Sequence, residues 1–129
     1  MLTITLFEPQ IPPNTGNIAR LCGANNVKLD LVGNLGFDME DKYLKRAGLD
    51  YWSFINWEYF PDTKEYCNNA FDNNFHLLTT KSDRLYTDRV YMDNDYILLF
   101  DIELFKDRNE VHYYDLSNMK RDNIRIWQL

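Results

Sequence analysis

Glycine disappears from this chain after Gly48: all five glycines lie in the first 48 residues, and the remaining 81 have none. Turns that close backbone N–H groups around a nucleotide-like ligand lean on glycine, so the second half is poorly equipped to cradle one. Cysteine is scarce too. Cys22 and Cys67 stand far apart without a metal-like partner pattern, which reads as reduced thiols of a cytoplasmic protein and excludes a disulfide framework. No apolar run approaches membrane length, the longest being Tyr96–Phe100, and no basic stretch followed by an apolar one opens the chain. Neither a membrane span nor a secretory signal is expected. A basic excess is also lacking: 14 Lys and Arg face 20 Asp and Glu, for a net charge of −6. Phosphate binding is driven by lysine and arginine, so any RNA contact needs a local basic face, and Lys42, Lys45 and Arg46 are the evident cluster.

What is present is a globular composition, 45% apolar and 16% aromatic over 129 residues, enough for one core and one domain spanning 1–129. Leu2–Phe7 alternates apolar and β-branched residues and reads as a strand. Pro9, Pro12 and Pro13 stop it, and Asn14 is the expected N-cap of the helix that follows. Ile18, Leu21 and Cys22 fall on one face of that helix. Lys28–Val32 is a second strand, ended by the loop Gly33–Gly36. Asp38–Ala47 is a helix with acidic residues at its start and Lys45 and Arg46 at its end, stopped by Gly48. Phe54–Phe60 reads as a strand, Pro61–Phe71 as a helix, and Phe75–Thr79, Tyr96–Phe100 and the segment from Ile124 as strands. The alternation predicts an α/β fold with a mainly parallel sheet flanked by helices.

His76 and His112 lack a nucleophile at telling spacing and are assigned core or surface roles. Asp88, Asp93 and Asp95 read as a solvated turn, because a metal loop would show glycine and regular ligand spacing; no metal site is expected. The tyrosines at 86, 91, 96, 113 and 114 serve packing, with base stacking as the other option.

One segment carries chemistry. Phe7-Glu8-Pro9-Gln10-Ile11-Pro12-Pro13-Asn14-Thr15-Gly16-Asn17-Ile18-Ala19-Arg20-Leu21-Cys22 runs from a strand, through a proline-stiffened loop, into a helix. A helix start offers unpaired N–H groups, Gly16 removes bulk where a substrate would approach, and Arg20 adds a planar donor fork. Together with Gly33-Asn34-Leu35-Gly36-Phe37 and Lys45-Arg46-Ala47-Gly48-Leu49-Asp50-Tyr51-Trp52, this segment resembles the SPOUT superfamily. Within it the likeness is to the small bacterial tRNA 2′-O-ribose methyltransferases of the wobble nucleotide. The resemblance implies a homodimeric α/β-knot enzyme using S-adenosylmethionine on a cytidine or uridine of the tRNA anticodon stem-loop. It assigns Arg20 and Asn14 to the reacting 2′-hydroxyl, and Gly16 and Arg46 to RNA contact. Arg20 acts first as an electrostatic and positioning group, since a guanidinium rarely gives up a proton.

The cofactor half follows the family less well. Leu77-Leu78-Thr79-Thr80-Lys81 matches its first cofactor loop, which assigns Leu78 and Thr79 to the adenosine side. After Tyr96–Phe100 the family has Gly-x-Glu-x-x-Gly-Leu-Pro. Here Glu103 aligns with the glutamate only across one insertion, while Asp101 and Lys106 replace both glycines. Ile124-Arg125-Ile126 opens the third loop, giving Ile126 a cofactor role, but the knot-forming C-terminal helix is missing and residues 101–129 diverge. Two readings stay open: an active methyltransferase, or a truncated, inactive relic serving as an RNA-binding or dimerisation module.

Overall fold

The computed structural model describes residues 1–40, 42, 44, 46, 49–69, 74–79, 85, 87, 90–100 and 124–128. Six strands are seen: β1 (Thr3–Phe7), β2 (Lys28–Val32), β3 (Trp57–Phe60), β4 (Phe75–Thr79), β5 (Tyr96–Phe100) and β6 (Ile124–Gln128). They form one sheet in the order β3-β2-β1-β5-β4-β6, and every pairing is parallel. The α/β expectation holds. Helix α1 (Pro12–Asn25) links β1 to β2, a 3-10 segment (Leu49–Phe54) precedes β3, and α2 (Thr63–Asn69) precedes β4. Successive strand residues point to opposite faces, so one strand feeds two cores. Leu6, Leu29 and Leu31 pack with Ala19 and Cys22 of α1 and with Ile55. Phe7, Val32, Leu77 and Leu98 pack with Tyr66 and Cys67 of α2. Both cysteines are free and buried, as expected of reduced thiols.

Several boundaries differ from the sequence expectation. Asn14 is not the N-cap: Ile11 holds that position, with Pro12 and Pro13 as the first helical residues. Proline suits a first turn, where its missing N–H costs nothing and its φ is already helical. Leu21 is 61% exposed, and the buried side of α1 is Thr15, Gly16, Ala19 and Cys22. Asp38–Glu40 is a turn in which the Glu40 N–H donates to the Asp38 carboxylate, while Lys42, Leu44 and Arg46 are helical. Strand β3 begins only at Trp57, because Leu49–Phe54 winds as 3-10 helix. Asp62 accepts from the Glu65 N–H and so starts α2 at Thr63; Ala70 and Phe71 lie outside the described residues. Gly48, Lys45 and Glu103 lie outside them as well.

Beneath α2 the sheet buries a polar chain. The Thr5 hydroxyl donates to Tyr66 Oη at 2.7 Å, and Tyr66 in turn donates to Asp30 Oδ2 at 2.7 Å. Lys28 Nζ sits 3.0 Å from Asp30 Oδ1 and 3.2 Å from Glu58. Burial, then the Asp30 charge, pushes the Tyr66 hydroxyl far above its ordinary value. Burial alone would lower the Lys28 ammonium, but Asp30 and Glu58 hold it above its usual value. Removing the Tyr66 hydroxyl strips a buried carboxylate of a donor. Tyr66→Phe is expected to lower stability by about 1–3 kcal/mol, read as a lower urea midpoint at unchanged slope.

A second tie closes the opposite end of the sheet. Asp95 is buried rather than part of a solvated turn, which corrects the sequence reading, whereas Asp93 is exposed beside the amino terminus. The Asp95 carboxylate lies 2.9 Å from His76 Nε2, accepts from the Met92 N–H at 2.9 Å, and accepts from Asn74 at 3.4 Å. His76 is therefore a core residue, its ring edge-on to Tyr91. Tyr91 and Tyr96 both serve packing; Tyr86, Tyr113, Tyr114, His112 and Asp88 fall outside the described residues. Burial would raise the Asp95 carboxyl, but Met92, His76 and Asn74 together hold it below the usual carboxylate value. A depressed carboxyl stabilises above its unfolded-state pKa and loses that contribution as pH falls through the folded value. Asp95→Asn should therefore cost about 1–3 kcal/mol near neutral pH. The gap to wild type should close under acid, checked by urea midpoints across pH 2 to 7.

Candidate active site

Because all six strands are parallel, their carboxyl ends share one edge. The neighbours β1 and β5 continue in opposite senses: β1 through α1 to β2 on one side, β5 past β4 to β6 on the other. A crevice at such a reversal, outside the carboxyl ends of the strands, is where open α/β sheets bind ligands. The β1–α1 loop sits on this edge and is firmly held. Glu8 adopts a left-handed φ of 45°, its N–H donating to Val32 O at 2.7 Å. Gln10 Nε2 donates to Glu8 O at 2.7 Å and to Asn34 O at 3.3 Å, and the Gly36 N–H donates to Pro9 O. A side chain at Gly36 would come within 2.9 Å of Gln10 Cα, so this second loop must be bare to lie against the first. Gly33, at φ 86°, donates to Phe60 O and accepts from the Tyr59 hydroxyl. The two loops fix where α1 begins.

That beginning differs from a phosphate-binding helix start. Pro12 and Pro13 have no N–H, and the N–H groups of Asn14 and Thr15 both donate to Ile11 O, at 3.1 and 3.3 Å. The expectation of open backbone donors at this mouth is not met. The polar groups exposed along this helix are side chains instead. Asn14 and Arg20 are exposed and six residues apart, which is about 9 Å along the axis and about 120° around it. Asn17, also exposed, lies between them. Gly16 is buried, so its missing side chain serves packing beneath the helix. Thr15 is 1% exposed and its hydroxyl has no hydrogen-bond partner among the described residues.

Of the other predicted residues, Leu78 and Thr79 end β4, and Leu78 is buried. Ile126 lies in β6 opposite Leu77. The end of β4 is two strands from β1, with β5 between, and so about 10 Å away at ordinary strand spacing. The start of α1 and the end of β4 therefore share one edge, whereas Ile126 sits in the middle of β6 and Arg20 lies about two turns along α1. Arg46 stands elsewhere, exposed on its own helical stretch with Lys42 one turn away on the same side. Sequence reasoning missed Asn17, Thr15, and the bracing of Glu8 by Gln10. A polar residue three places from each of two assigned ones could have flagged Asn17; nothing in the sequence marks the others.

Comparison with known proteins defines the class. The fold is a doubly wound α/β sheet, and the chain belongs to the SpoU rRNA methylase family, whose model matches residues 1–103. It is 43% identical over 103 residues to a tRNA (cytidine(34)-2′-O)-methyltransferase of Yersinia pestis, covering 76% of this chain and 64% of that protein. The chain spans 43 to 64% of the length of eight curated relatives that it matches. A solved structure concerned with 2-OH methylation of C/U34 on tRNA superposes with a TM-score of 0.81, at 23% identity, over 100% of this chain and 79% of that one. The SpoU methyltransferase AviRb of Streptomyces viridochromogenes, in complex with the cofactor AdoMet, superposes at 0.68 and 15% identity over 98% of this chain and 48% of its own. These two likenesses show the shared fold.

A buried hydroxyl without a partner costs free energy, and removing it relieves the cost. Thr15→Val keeps the branched shape and is expected to raise stability by about 1 kcal/mol. A lower urea midpoint would mean that the hydroxyl is bonded.

Proposed function

We propose that this chain is a tRNA 2′-O-ribose methyltransferase domain that presents the ribose of a wobble cytidine or uridine to a methyl donor. The supporting observation is the shared edge. The exposed Asn14 stands in the first turn of α1, which follows the carboxyl end of β1, itself about 10 Å from that of β4, and the exposed Arg20 lies about two turns along the same helix. The relatives that match this half are named for that reaction.

S-adenosylmethionine is the donor we assign, supplying when bound a methyl carbon on a positively charged sulfur. The buried apolar end of β4 fits its adenosine side, with Leu78, Thr79 and Ile126 as the residues to hold it; Glu103 completes the set assigned to it. Asn14 orients the ribose hydroxyl. Arg20 stabilises the negative charge that the 2′-oxygen gains as its proton leaves to solvent; the bound donor would supply the methyl group to that oxygen and leave as the neutral thioether. Gly16 allows α1 to sit low on the sheet, and Arg46 with Lys42 offers the anticodon stem-loop a cationic face. A homodimer in the cytoplasm, of the α/β-knot type and without metal, completes the reading. No described helix is long and apolar enough to cross a membrane.

A second reading, a non-catalytic RNA-binding module, draws on the glycine-free second half and on Asp101, whose carboxylate would face that of the methionine moiety. One experiment separates them. Anticodon stem-loop RNA with cytidine or uridine at the wobble position is incubated with the chain and radiolabelled S-adenosylmethionine. Methylation of the wobble 2′-oxygen is expected, falling at least 100-fold in Arg20→Ala, the scale of losing one oxyanion-stabilising donor. No transfer, together with no calorimetric heat on adding S-adenosylmethionine, overturns the catalytic reading.

A further inference from the structure

Helix α1 is badly written as a helix. Seven of its fourteen residues are proline, glycine or asparagine, among the poorest helix formers. Two prolines are explained by the first turn, and buried Gly16 by packing. Asn25 is explained by its own bond, since its side chain donates to Leu21 O at 2.7 Å. Asn17 has no such account. It is exposed in mid-helix, where packing does not decide the residue and alanine would serve the fold better. Its amide makes no hydrogen bond among the described residues. It stands three places from Asn14 and three from Arg20, so each pair are neighbours on the helix surface. Departures from local consistency without structural return cluster at functional sites.

We propose that Asn17 is a further RNA-binding residue, its amide hydrogen-bonding the sugar–phosphate of the nucleotide that Asn14 and Arg20 flank. The inference rests on the function proposed above. Asn14, Asn17 and Arg20 then form a ribbon about 9 Å long on the solvent side of α1, long enough to follow one nucleotide and its next phosphate. An amide supplies two donors and an acceptor without charge, suited to ribose hydroxyls and phosphate oxygens alike.

The test uses the whole chain and a fluorescent anticodon stem-loop RNA, with affinity measured against salt concentration and melting temperature measured in parallel. Asn17→Ala is expected to bind five- to tenfold more weakly, with an unchanged salt slope and a melting temperature equal to or above that of the parent. Asn17→Gln should recover part of the loss. Asn25→Ala, on the same helix, should bind as the parent does. Arg20→Ala, which removes a cation beside the bound nucleotide, should lower the salt slope where Asn17→Ala does not. Parental affinity in Asn17→Ala overturns the inference and leaves the proposed function standing. Weaker binding with a lowered melting temperature overturns it in favour of a structural role. No RNA binding by the parent chain overturns both.

Discussion

Everything that α1 presents depends on β1 being paired in register along both of its edges. Thr3 through Phe7 face Lys28 through Val32 on one side and Tyr96 through Phe100 on the other. A strand held on both edges cannot slip by one residue without turning Leu6 and Phe7 into each other's core. That would break the α1 core and the α2 core at once. The carboxyl end of β1 is therefore the most securely placed point on the functional edge, and α1 leaves it after only four residues.

Two polar ties reinforce the same frame. Thr5, Tyr66 and Asp30 join the central strand to α2 and to β2 through groups that have no water to fall back on. Asp95 and His76 join β4 to the turn before β5 at the amino ends, far from the crevice. The buried histidine–carboxylate pair looks, in isolation, like catalytic machinery. Its position says otherwise, since ligands of such sheets gather at the carboxyl ends. The pair is framework, and the chemistry belongs to the other edge.

The strands were legible because parallel strands buried on both faces leave a strong mark: short apolar or β-branched runs such as Leu-Thr-Ile-Thr-Leu-Phe and Tyr-Ile-Leu-Leu-Phe. Asn14 and Arg20 were legible as a motif, and both are exposed on α1. The start of α1 was misjudged because asparagine is a good cap in general, whereas two prolines specify a first turn more narrowly. Asp95 was misjudged because an acidic cluster looks the same in sequence whether or not one carboxylate finds three donors in the fold. The braced loop was out of reach altogether. Gln10 reaches Asn34, 24 residues on, and only the folded chain brings them together.

The proline start also bears on what α1 is built to hold. A helix meant to grip a phosphate keeps its first N–H groups open, and the partial positive charge there adds to the attraction. Here two of those donors are removed by covalent structure and the next two are spent on Ile11. The cost of giving up an anion cradle makes sense if the group brought to this mouth is neutral before reaction. A ribose hydroxyl is such a group, and neutral amides on Asn14 and Asn17 suit it better than a row of backbone donors. In the proposed reaction charge becomes useful only as the hydroxyl loses its proton, and the single guanidinium of Arg20, about two turns along, would supply it. The pattern supports chemistry on the sugar rather than on the phosphate.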